Sequence, residues 1–136
     1  MKKVLFVCVG NSARSIMAEA LFNAAAPEGW EALSAGTKPA SRISDKAATV
    51  LGEIGIKVEK KHPSVLDPSL AKNADIGITM GCGVEDDCPV LFTSLKEDWA
   101  LDDPKGAPIE KFQRVRGEIK KRVDKLVMEI ESGAKG

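Results

Sequence analysis

Hydrophobic and polar positions divide this chain into short apolar runs and longer stretches with helical spacing. Lys3 to Val7 is β-rich and apolar without alternation, the pattern of a strand buried on both faces, as in a parallel sheet. From Ser15 to Ala25 the period changes. Ile16, Met17, Ala20, Leu21 and Ala24 fall on one helical face, and Pro27-Glu28-Gly29 stops the helix. Trp30 to Ser34 reads as a second strand closed by Ala35-Gly36, and Thr37 to Arg42 as a polar loop. Ser44 or Asp45 is placed to cap a second helix, with Ala47, Val50, Leu51 and Ile54 facing inward and Gly55 past its end. Ile56 to Val58 is a short extended piece and Lys60-Lys61-His62-Pro63 a surface turn. Asp67 to Lys72 is a brief helix with proline at its first position. Asp75 to Met80 is a third strand, broken by Gly81. Gly81 to Pro89 is a loop, and Val90 to Leu101 holds a short strand and a turn before Asp102-Asp103-Pro104.

The last helix has the clearest pattern. Phe112, Val115, Ile119, Val123, Leu126 and Ile130 recur at three or four residues over about five turns. Between them the basic run Arg114, Arg116, Lys120, Lys121 and Arg122 supplies a solvated face, and Ser132 to Gly136 is expected to fray. Strands alternating with helices, without a linker or repeat, predict one α/β domain over residues 1–136, a parallel sheet sandwiched between helices.

Composition changes this picture mainly by exclusion. The 136 residues are enough for a core without disulfide or metal staples, and 43% apolar with 29% charged is ordinary for a globular chain. Lys plus Arg equal Asp plus Glu at 20 each, so no basic field points to nucleic acid or an anionic membrane. The apolar run Val4 to Val9 is shorter than the roughly seven residues of a signal core and the roughly twenty of a membrane span. A cytoplasmic location is therefore expected, where thiols stay reduced. Three cysteines cannot all pair internally, which makes them candidates for chemistry. With one cysteine taken up by other chemistry, the remaining two and the single His fall short of the four ligands of a structural zinc site, and no metal or cofactor is expected. His62 reads as a solvated surface residue, and Trp30 and Trp99 as packing residues.

The candidate chemistry begins at Cys8, placed where the first strand hands over to a loop and a helix. In open α/β sheets this is the edge that binds ligands. The loop Val9-Gly10-Asn11-Ser12-Ala13-Arg14-Ser15 would aim backbone N–H groups and a helix amino end at a bound anion. A thiol in water is only about 3% ionised at pH 7, and such surroundings favour the thiolate nucleophile. Arg14 adds a planar fork for two oxygens of a phosphate-like ion. Gly10 and Asn11 tolerate the left-handed backbone of a tight nest. Ser15 is placed to hydrogen-bond the Cys8 sulfur. An inert buried cysteine would need none of these neighbours.

Cys8-Val-Gly-Asn-Ser-Ala-Arg14-Ser15-Ile-Met-Ala-Glu-Ala20 resembles the signature of low-molecular-weight protein tyrosine phosphatases and the arsenate reductases that share their fold. Ser34-Ala35-Gly36, Asn73-Ala74-Asp75 and Asp103-Pro104 match further positions of that superfamily, so the likeness spans nearly the whole chain. The resemblance implies a four-stranded parallel sheet in the order 2-1-3-4 with helices on both faces. It also implies that Asp103 is the general acid for the leaving oxygen; the residues alone read as a turn.

Two features separate phosphatase from reductase. Phosphatases of this fold usually carry tyrosines after the Asp-Pro. Here the chain continues Lys105-Gly106-Ala107-Pro108, with Lys105 either adding positive potential near the site or simply lying on the surface, and it contains no Tyr. Thr79-Met80-Gly81-Cys82-Gly83 through Cys88-Pro89 resembles the redox segment of thioredoxin-coupled arsenate reductases. In the implied order the third strand runs about 4.8 Å from the first, so both carboxyl ends open on one edge. A continuous helix would hold the Cα atoms of Cys82 and Cys88 about 9 Å apart. A disulfide needs less than about 7 Å, so the oxidised segment must be looped or partly unwound. The implied activity is reduction of arsenate, with phosphate or sulfate competing, by a relay through Cys8, Cys82 and Cys88 to an external dithiol such as thioredoxin. The alternatives are a phosphatase working through a Cys8 phosphoenzyme and a non-catalytic oxyanion or redox sensor. The sequence departs from the reductase pattern in the extra Gly81, in one residue fewer between the two redox cysteines, and in Ala13 where a cysteine is frequent. Asn11, Glu19 and Ser34 match a potassium site of some relatives, but Ser64 stands where an aspartate is expected.

Overall fold

The apolar run at the amino end forms β1 (Lys2–Cys8), and the helical period that follows forms α1 (Arg14–Ala25). Then come β2 (Trp30–Gly36), α2 (Asp45–Gly52), α3 (Pro68–Asn73), β3 (Ile76–Thr79), β4 (Leu95–Asp98) and α4 (Ile109–Gly133). This computed structural model describes residues 1–8, 10, 13–36, 40–58, 63–65, 68–80, 95–99, 101–102 and 104–133. The strands make one four-stranded sheet in the order β2-β1-β3-β4, every pair parallel, with a register shift between Gly77 and Ile78 where β3 meets β4. The expected α/β sandwich and its 2-1-3-4 order are thus present.

β1 is buried on both faces because successive side chains point to opposite sides of a central strand. Val4, Phe6 and Cys8 enter the larger core with Ile78, Met80, α1, α2 and α4. Leu5 and Val7 enter the smaller one with Ala35 and Ala74, against which Leu70 of α3 packs. Phe6 is the hub of the larger core, with its ring 6.3 Å from Phe22 and 5.5 Å from Trp99. On α4 the expected stripe is buried from Phe112 to Leu126, with Ile130 half-buried against the same core. At about 1.5–3 kcal/mol per buried apolar side chain, that stripe holds the helix on α1 and α2.

Several local expectations need correction. Ile54 is 41% exposed. α2 stops at Gly52, before the helical phase brings Ile54 round to the core. Gly55, at φ +83°, lets the Ile56 N–H return to the Leu51 carbonyl at 3.0 Å, and Ile56 packs on the core instead. In α1 one apolar face is too simple a description. Arg14 to Glu19 are all buried, Phe22 is fully buried and Ala24 is exposed, because the helix start is enclosed on all sides. Arg116 is not part of the solvated face: it donates to the Val50 carbonyl at 2.7 Å and to Glu53 at 2.9 Å, pinning α4 to α2. Ser132 and Gly133 remain helical. Among the described residues, no helix is long and apolar enough to cross a membrane.

Candidate active site

Cys8 is the last residue of β1, 2% exposed, and Ser15 lies in the first turn of α1, fully buried. Between them the chain reverses, bringing the Cys8 sulfur and the Ser15 hydroxyl to 3.0 Å. Ala13 stands at the cap of α1 and makes no side-chain cap hydrogen bond. The loop is tied down at Gly10, whose carbonyl accepts the Ala40 N–H at 2.9 Å.

Arg14 is 5% exposed, and its Nη1 donates to the Met80 carbonyl at 2.6 Å and to the Leu101 carbonyl at 3.0 Å. These are short charge-assisted bonds in a buried setting, and they fix the plane of the guanidinium. They also join three chain segments: the start of α1, the residue after β3 and the stretch after β4. Sequence reasoning missed both partners, since carbonyls 66 and 87 residues away leave no local signal.

An open cleft of about 700 Å³ lies over this junction. Cys8, Gly10, Ala13 and Arg14 form one side, the start of α2 with Arg42, Ser44 and Lys46 another, and Lys105 and Gly106 a third, with Phe112 beneath. Arg42 is bound by both oxygens of Asp45 at 2.6–2.7 Å. Ser44 caps α2 by accepting the Ala47 N–H at 3.2 Å. Phe112 was anticipated only as core, and Lys46 not at all.

Glu19 and Ser34, read as possible ion ligands, are both buried and joined by a hydrogen bond from the Ser34 hydroxyl to the Glu19 carboxylate. Among the described residues no three His, Cys, Asp or Glu side chains gather as a metal site. Asp102 is held by Lys111 at 3.0 Å. That hydrogen bond and the lysine's charge, with smaller contributions from Arg114 and Arg14, hold the Asp102 carboxyl below its ordinary value. Val9, Asn11, Ser12, Cys82, Cys88 and Asp103 lie outside the described residues. Their described neighbours are informative nonetheless. The Met80 N–H donates to the Val7 carbonyl at 2.8 Å, so the residue after β3 lies beside the strand that ends in Cys8. Pro104 is buried, and its carbonyl accepts the Ala107 N–H at 2.8 Å.

Known proteins resemble this chain over nearly its whole length. The family described as "Low molecular weight phosphotyrosine protein phosphatase" matches residues 3–135. An arsenate reductase of Staphylococcus aureus (strain Newman) is 37% identical over 120 residues, 88% of this chain and 91% of the relative. Among solved structures, the YwlE arginine phosphatase from Geobacillus stearothermophilus superposes with a TM-score of 0.87 at 29% identity, covering 97% of this chain and 94% of the other. The Corynebacterium glutamicum thioredoxin-dependent arsenate reductase superposes with a TM-score of 0.82 at 34% identity, covering 98% of this chain and 63% of the other.

Proposed function

The chain belongs to the low molecular weight phosphotyrosine protein phosphatase family, and from that premise we propose that it is an arsenate reductase working through three cysteines and an external dithiol. The observation that carries this reading is the adjacency of the ends of β1 and β3. Cys8 closes one strand, and the Met80 N–H bonded to Val7 brings the neighbouring strand out two residues before Cys82. A phosphatase needs only the first of these thiols. The relatives named arsenate reductase, one of them thioredoxin-dependent, support the same choice, as does the lack of any Tyr to grip an aromatic substrate.

In this reading the Cys8 thiolate, accepting from Ser15, attacks the arsenic of arsenate held by the amides of residues 9–15 and the Arg14 guanidinium. Asp103 protonates the departing oxygen, which leaves as water. The Cys82 thiolate then attacks the Cys8 sulfur. The electron pair of the S–As bond stays on arsenic, arsenite departs, and a Cys8–Cys82 disulfide remains. The Cys88 thiolate attacks Cys82, releasing Cys8 and leaving an 82–88 disulfide for thioredoxin or a similar dithiol to reduce. Phosphate and sulfate, with the same tetrahedral shape, compete for the loop. The whole chain, 1–136, acts as one domain, and the cytoplasm, which keeps thiols reduced, fits this chemistry.

The test is a thiol count. Arsenate added to the reduced chain without external reductant should remove two thiols for each arsenite formed. A phosphatase or a non-catalytic sensor loses none in proportion, and that result rejects the reductase. The phosphatase remains the second reading, favoured by the likeness to the arginine phosphatase; it would release phosphate through a Cys8 phosphoenzyme with thiols intact.

A further inference from the structure

The chain around position 103 is tethered from three sides. Upstream, the Leu101 carbonyl accepts from Arg14 at 3.0 Å, and the Asp102 carboxylate accepts from Lys111 at 3.0 Å. Downstream, Pro104 to Ala107 form a turn closed by the Ala107 N–H on the Pro104 carbonyl at 2.8 Å, with Gly106 at φ +81° in its third position. A turn of this kind fixes its own shape but not its orientation. Lys46 contributes to its orientation: its ammonium donates to the Ala107 carbonyl at 2.7 Å across 61 residues of sequence. The same ammonium lies 5.8 Å from the centre of the Phe112 ring. One cation in the first turn of α2 thus meets both the turn after Pro104 and the first turn of α4.

We propose that Lys46 is a positioning residue for the general acid, clamping the Pro104–Ala107 turn to α2 so that Asp103 is presented to the oxygen leaving the anion bound over Cys8. The inference rests on the assignment of Asp103 given above. The Arg14 tether belongs to the oxyanion loop itself, and the Lys111 tether grips the neighbouring side chain. Lys46 supplies a side-chain tether on the downstream side. Its part is geometric: general acid catalysis requires the proton within hydrogen-bond reach of the leaving atom, and misplacement by about 1 Å can cost up to about a hundredfold in rate. Because Lys46 is exposed apart from these contacts, its replacement leaves the core untouched.

The experiment compares arsenate-dependent thiol loss at saturating arsenate in the reduced full chain, Lys46→Met, Lys46→Arg, Asp103→Asn and the double variant, with inorganic phosphate as competing anion. Lys46→Met should slow the saturating rate about tenfold while phosphate competes within about twofold of its original strength. Lys46→Arg, which still donates to the carbonyl, should stay near the original rate. In the Asp103→Asn background, Lys46→Met should add less than about a twofold further loss, since a residue acting through Asp103 has nothing left to position. An equal loss in both backgrounds, a weakening of phosphate competition that matches the rate loss, or an unchanged rate in Lys46→Met overturns the proposal. If Asp103→Asn itself keeps the full rate, the general-acid assignment fails first, and the positioning role falls with it.

Discussion

The Arg14 guanidinium donates to the Met80 carbonyl at 2.6 Å, joining the first residue of the helix after the anion loop to the residue that follows β3. One side chain therefore ties the start of α1 to the carboxyl end of β3, and in the proposed mechanism it also holds the anion. Arg14→Lys keeps the charge but loses the planar fork, and should cost about a hundredfold in the rate of arsenate-dependent thiol loss. Arg14→Ala also strips the Met80 and Leu101 carbonyls of a charged donor, and should lower stability by about 2–4 kcal/mol in urea unfolding. An Arg14→Ala chain as stable as the original would show that this arginine serves the anion alone.

Ser15→Ala removes the hydroxyl 3.0 Å from the Cys8 sulfur. In the proposed mechanism this hydroxyl donates to the attacking sulfur, so its removal takes one hydrogen bond from the nucleophile in a fully buried setting. Alkylation of Cys8 by iodoacetamide at pH 7 should slow several-fold, with turnover falling about tenfold. Unchanged alkylation would mean that this hydroxyl is not what sustains the nucleophile.

Legibility in the sequence tracked the distance over which the cause acts. The Cys8–Ser15 contact could be anticipated because a strand, a short loop and a helix start constrain residues seven apart. The buried runs of β1 and α4 were equally plain, since their period is local. Ile54 went astray because the stop of α2 depends on a glycine-based cap that shifts the inward position to Ile56. Arg116 went astray because a basic residue at helical spacing looks solvated until α2 is packed against it. The carbonyl partners of Arg14 and Lys46 could not be read at all: any residue type supplies a carbonyl, and only the assembled fold brings these three within reach.

In the proposed relay, Cys82 and Cys88 should separate by where the reaction stops. Cys82→Ser leaves Cys8 able to attack, but without the second thiol neither arsenite nor a disulfide should form in excess arsenate. Cys88→Ser should yield one arsenite per chain and trap a Cys8–Cys82 disulfide, visible by mass after alkylation and proteolysis. Steady arsenite production by Cys82→Ser with a dithiol would sink the relay order. A trapped Cys8–Cys88 disulfide in Cys82→Ser would instead assign the first attack on Cys8 to Cys88.

The tether between Asp102 and Lys111 predicts a pH dependence. Lys111 holds the folded-state carboxyl of Asp102 below the ordinary 3.8. A carboxyl lowered on folding contributes stability above its unfolded value, and that contribution disappears as pH falls through the folded value. The thermal midpoint of Asp102→Asn should therefore sit below that of the original chain near neutrality, with the gap narrowing as pH drops below about 4. A gap that persists undiminished at pH 2 would place the effect elsewhere than in this charge pair.

Asn23 makes a different kind of contact, one that concerns the edge of the sheet. β2 is an edge strand, since the order begins with it. The Asn23 side chain accepts the Ala32 N–H at 2.8 Å and donates to the Ala32 carbonyl at 3.2 Å, imitating the pair of bonds that another strand would make. An unpaired edge is a template for association with a second chain, and a single amide that occupies both groups of one residue blunts it. Asn23→Ala should cost about 1 kcal/mol, at the low end for a lost pair because the site is only partly buried and water replaces some of it. Light scattering on gentle heating should rise more than that small loss explains. Asn23→Asp, which keeps an acceptor for the N–H but turns a carboxylate oxygen toward the carbonyl, should destabilise at neutral pH and recover part of the loss when protonated. The rate of arsenate-dependent thiol loss should be unchanged in both variants, because Asn23 lies outside the cleft over Cys8. A variant that aggregates no faster than the original chain would mean that other features protect this edge.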